Sequence, residues 1–222
     1  GPIDATGRLV RDAKGDRLED LEINLGTADQ LVVHAKGSLD PLMTDEPGAT
    51  GVALAVDFAW PSNRVLQPLA GRYLKGLPDF GQGEGQLQLG GTVNGLRIDG
   101  ARLKTKRNDG LVVAATGSIA SLLTEPALSV EGAAFDLDAQ GPSTMVVAKL
   151  FGYELPDFGR VRARAKLSQT RGIISLRSID LDSGPTAEPS IKVKGAIGDV
   201  LAFRRVALTS DFKVPTRTML AM

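Results

Sequence analysis

Bulky apolar residues fall at every second position through much of this chain. In Val52-Ala53-Leu54-Ala55-Val56-Asp57-Phe58-Ala59-Trp60 the large side chains share one parity, and alanine and aspartate take the other. Val206-Ala207-Leu208-Thr209-Ser210-Asp211-Phe212-Lys213-Val214 divides in the same way. Leu31, Val33, Ala35, Gly37 and Leu39 make another such face, and Leu111, Val113, Ala115, Gly117 and Ile119 its counterpart further on. Around Leu103 the opposite parity carries Arg102, Lys104 and Lys106, which must be wet. Period-two runs of this kind predict strands with one apolar and one polar face, as antiparallel sheets commonly have. Strands are predicted near 83–89, 95–106, 110–120 and 127–138. The alternation slips at Gly132, where Leu128 and Val130 give way to Phe135 and Leu137, so a bulge or bend is predicted there.

The pattern repeats. Leu77-Pro78-Asp79-Phe80-Gly81 returns 78 residues later as Leu155-Pro156-Asp157-Phe158-Gly159. Gly37-Ser38-Leu39, Gly117-Ser118-Ile119 and Gly195-Ala196-Ile197 keep nearly the same period, as do Phe58, Phe135 and Phe212. Each unit reads as about four strands followed by a short helical segment. The helix start carries Pro61-Ser62, Pro142-Ser143 or Pro215-Thr216, whose hydroxyl can cap a helix. Helical segments are predicted over 62–75 and 143–152, the first limited by Pro68. The Leu-Pro-Asp-Phe-Gly corner follows, with its proline extended, its aspartate bonded to turn backbone and its glycine free to turn. Repeats of this size build arrays in which each unit contacts mainly its neighbours. Gly1-Pro2 reads as a remnant of protease cleavage. Repeat 1 then spans 3–76, repeat 2 spans 77–154, and repeat 3 spans 155–222 and stops at its helix. Met219-Leu220-Ala221-Met222 begins an apolar segment and ends, which suggests a piece cut from a longer protein.

Composition narrows the function. The 222 residues carry no net charge and are 42% hydrophobic, which fits a folded chain and lacks the basic surface that nucleic acid requires. Aromatics at 5% are too few for a base-stacking platform. The absence of cysteine removes disulfides, thiol catalysis and thiolate metal sites. No apolar run is long enough to span a bilayer as a helix.

Candidate chemistry is sparse. Asp79-Phe80-Gly81 and Asp157-Phe158-Gly159 match the magnesium-positioning tripeptide of protein kinases, but they recur at the repeat period and lack the companion motifs; a structural corner is expected. Gly81-Gln82-Gly83-Glu84-Gly85 leads into a strand, where a phosphate loop would need a helix. His34, the single histidine, lies opposite the Val33 and Ala35 face and is expected in solvent. Asp136/Asp138 and Asp180/Asp182 lack the other oxygen ligands of a calcium loop and read as a solvated face. No acid, base and nucleophile converge, so no enzymatic activity, metal or cofactor is expected.

The corner motifs, the capped helices before them and the Gly-(Ser/Ala)-(Leu/Ile) landmarks resemble the AsmA-like family, the AsmA/TamB/YhdP-type repeating β-groove proteins of the bacterial envelope. The resemblance covers roughly residues 5 to 222. It implies a mainly β fold: an elongated, curved antiparallel sheet of about three repeats, with a short helix between repeats and an apolar concave face. It implies a periplasmic segment whose parent protein is anchored in the inner membrane of a Gram-negative bacterium. It further implies phospholipids as cargo, shuttled between inner and outer membranes by a protein that reaches both through parts absent here. The groove would be lined by Val52, Leu54, Val56, Phe58, Leu111, Val113, Leu128, Val130, Val206, Leu208 and Phe212. The alternative is a structural or assembly module of the envelope. In that reading the apolar face is a closed core and an edge strand recruits partner proteins by strand addition.

Overall fold

The computed structural model describes residues 1–13, 15–27, 29–42, 50–66, 78–123, 129–150, 152–184 and 190–213. The predicted helix beyond Leu66, Leu77 of the first corner, Leu128, and the 214–222 tail with its Pro215-Thr216 signal lie outside them.

Twelve strands form one antiparallel sheet in strict sequence order. They are β1 (Ile3–Asp12), β2 (Gly15–Leu25), β3 (Val32–Asp40), β4 (Gly51–Trp60), β5 (Gln82–Thr92), β6 (Gly95–Lys106), β7 (Val112–Leu123), β8 (Ser129–Gly141), β9 (Val161–Thr170), β10 (Ile173–Ser183), β11 (Ser190–Asp199) and β12 (Arg204–Lys213). The sheet is open: β1 and β12 are its two edges. A 3-10 turn at Asn63–Leu66 follows β4, and helix α1 (Thr144–Leu150) follows β8. At the usual strand spacing, twelve strands extend about 50 Å across. The described residues are thus mainly β with a single short α-helix, consistent with a curved β-groove.

Residues directly opposite in antiparallel strands share a face. Leu54 on β4 opposes Gly37 and Leu89, Val56 opposes Ala35 and Leu87, and Phe58 opposes Val33 and Gly85. The same parity continues through Leu103, Ala115 and Leu137 to Ala165. It ends on β11 and β12, where Ile191 opposes Phe212 and Ile197 opposes Val206. One apolar face therefore crosses all three sets of four strands.

Irregularities recur with the repeat. The pairing of β2, β6 and β10 to the strands that follow them shifts around Asp20, Gly100 and Ser178. All three sit in the left-handed region, at φ 52°, 70° and 50°. A bulge there keeps the apolar parity in step while bending the strand. Where β6 uses glycine, β10 uses serine, and a left-handed non-glycine residue costs about 1–2 kcal/mol. Ser178→Gly is therefore expected to stabilise the protein by about 0.5–1 kcal/mol after the unfolded-chain entropy is subtracted, read as a rise in Tm. At Gly132, where the alternation slips, φ is +68°, in the left-handed region that favours glycine. The β7–β8 register nonetheless runs through it unshifted, because both strands change face together.

The landmark glycines have a steric cause. A Cβ on Gly37, Gly117 or Gly195 would sit 1.9, 2.0 or 1.9 Å from the carbonyl oxygen of Ala53, Ala134 or Ala207. The neighbouring strand passes too close for any side chain. The phenylalanine period is not a structural equivalence, however. Phe58 and Phe212 oppose Val33 and Ile191, each four residues before its landmark glycine, whereas Phe135 opposes Gly117 itself. Phe135 is thus the counterpart of Leu54 and Leu208. The longer β7 and β8 move its place in the unit without moving it off the apolar face.

Candidate functional site

The two faces differ in crowding. On the apolar side even small residues are covered: Ala35, Ala101 and Ala133 are buried. On the polar side Ala53, Ala55 and Ala59 are exposed. Side chains therefore close in on one another along the apolar face and stand apart on the polar one. Val52, Leu54, Val56, Phe58, Val113 and Val130 are half-buried, and Val206, Leu208 and Phe212 on the edge strand are exposed. Val130 joins the same face through Leu122 and Leu96.

Leu111 corrects the sequence reading. It is 4% exposed, and its side chain converges with those of Val147 and Val161 over Gly141, where a Cβ would meet all three within 3.5 Å. Leu111 thus belongs to a plug formed with α1, which also buries Thr144 and Ala148. One repeat earlier the sizes are exchanged: Trp60 lies over Gly83, and a Cβ at Gly83 would come within 2.2 Å of its ring. Phe58 stacks on Trp60 with ring centroids 5.5 Å apart.

Alternation on β5, β6 and β9–β11 also places Leu87, Leu89, Leu103, Leu167, Leu181 and Val193 on the apolar face. The sequence reading left these out of the groove, although the same period marks them. Gln169 was missed without any such signal. It is buried at the end of β9, and among the described residues neither its Oε1 nor Trp60 Nε1 has a hydrogen-bond partner.

The corners are built from paired hydroxyl and carboxylate groups. Ser62 Oγ donates to Asp79 at 2.6 Å, Asp79 accepts from Gly81 N–H at 2.9 Å, and Ser62 Oγ accepts from Arg64 N–H at 3.2 Å. In the second corner Ser143 Oγ donates to Asp157 at 2.7 Å, Asp157 accepts from Gly159 N–H at 2.8 Å, and Ser143 caps α1 by accepting from Met145 N–H at 3.1 Å. Asn63 and Thr144 complete the clamp. Asn63 donates to Pro78 O and accepts from Phe80 N–H; Thr144 donates to Pro156 O and accepts from Phe158 N–H. Both residues follow the capping serine and can donate and accept at once, a signal present in the sequence but not used. The aspartates are structural here.

Burial pushes the Asp79 carboxyl up, but hydrogen bonds from Ser62 and Gly81 and the nearby Arg64 guanidinium outweigh it and hold the group below its ordinary range. The Ser143 hydroxyl and Gly159 N–H hold Asp157 below that range as well. A lowered folded pKa stabilises above the unfolded pKa, and that contribution is lost as pH falls through the folded value. Melting temperature is thus expected to fall from about pH 4 downward, and to fall less in an Asp79→Asn/Asp157→Asn double variant. A pH series of thermal melts checks this.

The polar face is laced with cross-strand ion pairs. Asp136 meets Lys166 at 2.9 Å, Asp138 meets Arg162 and Arg164 at 3.1 and 3.2 Å, and Asp182 meets Lys192 at 3.2 Å. Exposed pairs of this kind contribute little individually. His34 is exposed, with Nδ1 against Asn24 Oδ1. Open depressions of about 470 and 540 Å³ lie on this face, one beside His34, Asp57 and Arg102, the other beside Thr116, Asp138 and Arg164. A third, of about 450 Å³, lies at the end of the apolar face and is lined by Ile3, Leu25, Leu31 and Val65. Among the described residues, no group of three or more His, Asp or Glu side chains could hold a metal ion. No helix among them is long and apolar enough to cross a membrane.

Comparison with protein-family models, curated proteins and solved structures finds no match to this chain.

Proposed function

We propose that the apolar face is a groove for phospholipid acyl chains, and that the chain is a non-enzymatic segment of a periplasmic lipid-transfer protein of the AsmA-like kind. One observation carries the reading. A single apolar face runs across all twelve strands of an open sheet, and most of its large side chains are half-buried. An acyl chain gains about 0.8 kcal/mol for each methylene it buries, and a continuous face offers many similar positions with no preferred stop. The headgroup would ride at the rim in water. Movement along such a path needs weak, interchangeable sites, which the repeat provides.

The test is native mass spectrometry of the purified protein, with organic extraction and lipid analysis. Co-purified phospholipid above a denatured control supports the groove. Lipid-free protein that also fails to react with a photo-crosslinkable phospholipid would leave the assembly-module reading, with the apolar face acting as a core.

A further inference from the structure

The two ends of the strands are built differently. In an antiparallel sheet laid down in sequence order, successive connections fall alternately at one end and the other. One end carries the corners, between β4 and β5 and between β8 and β9, together with the 3-10 turn and α1. The other end carries hairpins. Val93-Asn94 joins β5 to β6, and Arg171-Gly172 joins β9 to β10.

The apolar face is sealed at the corner end. Trp60, Leu111 and Val161 lie there and are 6%, 4% and 6% exposed. Trp60 covers Gly83, and Leu111 and Val161 meet Val147 of α1 over Gly141. The corner clamps hold these plugs in place: Ser62 and Asn63 grip one, Ser143 and Thr144 the other. At the hairpin end the same face stays open. Val52 opposes Leu39 and Gly91, Leu96 opposes Leu122, and Leu122 opposes Val130. These large side chains are half-buried, and no helix among the described residues covers them. The hairpin tips expose Val93 (46%) and Ile173 (42%). The large side chain that is buried towards this end is polar: Gln169, 3% exposed, with the parity of Leu167 and opposite Ile174.

We infer that phospholipid lies across the sheet in one direction, with its acyl ends at the corners and its glycerol and headgroup at the hairpin rim. The inference rests on the groove proposal and adds a polarity to it. A charged phosphate against the sealed corner end would lose its water without gaining a partner, which is costly. Methyl ends lose nothing there. At the hairpin rim the headgroup stays in water, and the Gln169 amide suits the ester zone, where a hydrogen-bond donor can meet a carbonyl. The length fits as well. Val52 to Phe58 spans six residues, about 20 Å of strand, and the hydrocarbon of one leaflet is about 15 Å deep. Both junctions between repeats have the same polarity, so a lipid passing from one to the next keeps its orientation.

Trp60 is the single tryptophan of the chain and stands at the corner end, so its fluorescence reports which part of the lipid comes near. The protein is loaded with phosphatidylcholine carrying a nitroxide on the headgroup, beside the ester or near the terminal methyl, and is then separated from free vesicles. Nitroxide content measures how much lipid each sample retains. At equal retention, Trp60 is expected to lose most fluorescence to the terminal label, less to the ester label and least to the headgroup label. A Trp60→Phe/Val93→Trp variant moves the reporter to the hairpin rim and should reverse the order, with circular dichroism checking its fold. Retained lipid that quenches Trp60 equally from all three positions, or most from the headgroup, would overturn the orientation and leave the groove standing. Protein that retains none of the three lipids would overturn the groove proposal and the orientation with it.

Discussion

Val56→Asp and Phe58→Asp are expected to cut phospholipid retention roughly thirtyfold while leaving the sheet folded. Val56 stands between Ala35 and Leu87, and Phe58 between Val33 and Gly85, at the centre of the first junction between repeats. Both are half-buried. A carboxylate placed on an open face can turn to water, so folding loses little more than the packing of one side chain. For Phe58 that packing includes the stack on Trp60, and an aromatic pair is worth about 0.5–1.5 kcal/mol. A melting temperature lower by a few degrees is expected, since about 1 kcal/mol shifts Tm by roughly 2–4 °C at this size. An acyl chain has no such freedom. It would have to pass a charge in a hydrocarbon path, at a cost of about 2 kcal/mol, which is roughly thirtyfold in occupancy. Lipid analysis of the purified variants reads the loss, and circular dichroism reads the fold. If both variants fail to fold, the face is a closed core, because an unpaired charge buried in apolar surroundings is not tolerated, and the groove proposal falls.

Gly117→Ala is expected to be strongly destabilising. Its Cβ would lie 2.0 Å from Ala134 O and 2.7 Å from the Phe135 ring. β7 and β8 lie in the middle of the sheet, with a strand on the outer side of each, so neither can swing away. Relief requires the pair to separate, and a loss of about 3 kcal/mol or more is expected, seen as a fall in Tm of about 6–12 °C. Gly195→Ala meets a similar clash but next to the edge strand β12, which can yield, so its cost should be smaller. Gly100→Ala is the control. Nothing lies within 4 Å of its Cβ, and the strain is only that of φ +70°, about 1 kcal/mol. Thermal melts of the three variants should rank in that order; equal losses would mean that backbone conformation and not strand proximity sets the requirement for glycine.

Which side of a strand is apolar was legible in the sequence for the runs at 31–39, 52–60, 111–119 and 206–214, as were the capping serines and the corner aspartates. Parity is a local property: alternate residues of an extended chain point to opposite faces whatever lies beside them. Capping and turn formation likewise need partners only a short distance along the chain. Register was not legible, because it depends on how many residues each bulge and hairpin insert, and those insertions accumulate between strands. Phe58, Phe135 and Phe212 keep one spacing in the chain, yet Phe135 comes to rest four positions from its apparent counterparts. Leu111 follows the apolar parity perfectly, yet it is sealed beneath α1; only packing of the helix against β8 and β9 decides that. The clash that forbids a side chain at Gly37, Gly117 and Gly195 comes from a carbonyl on the next strand, 12 to 17 residues away in the chain. The sequence by itself determined a repeated, one-sided antiparallel sheet, because period and parity are written residue by residue. Tertiary structure alone decided which residues face each other, which are covered, and that the sheet remains one open layer, because those depend on distances between strands that no single strand contains.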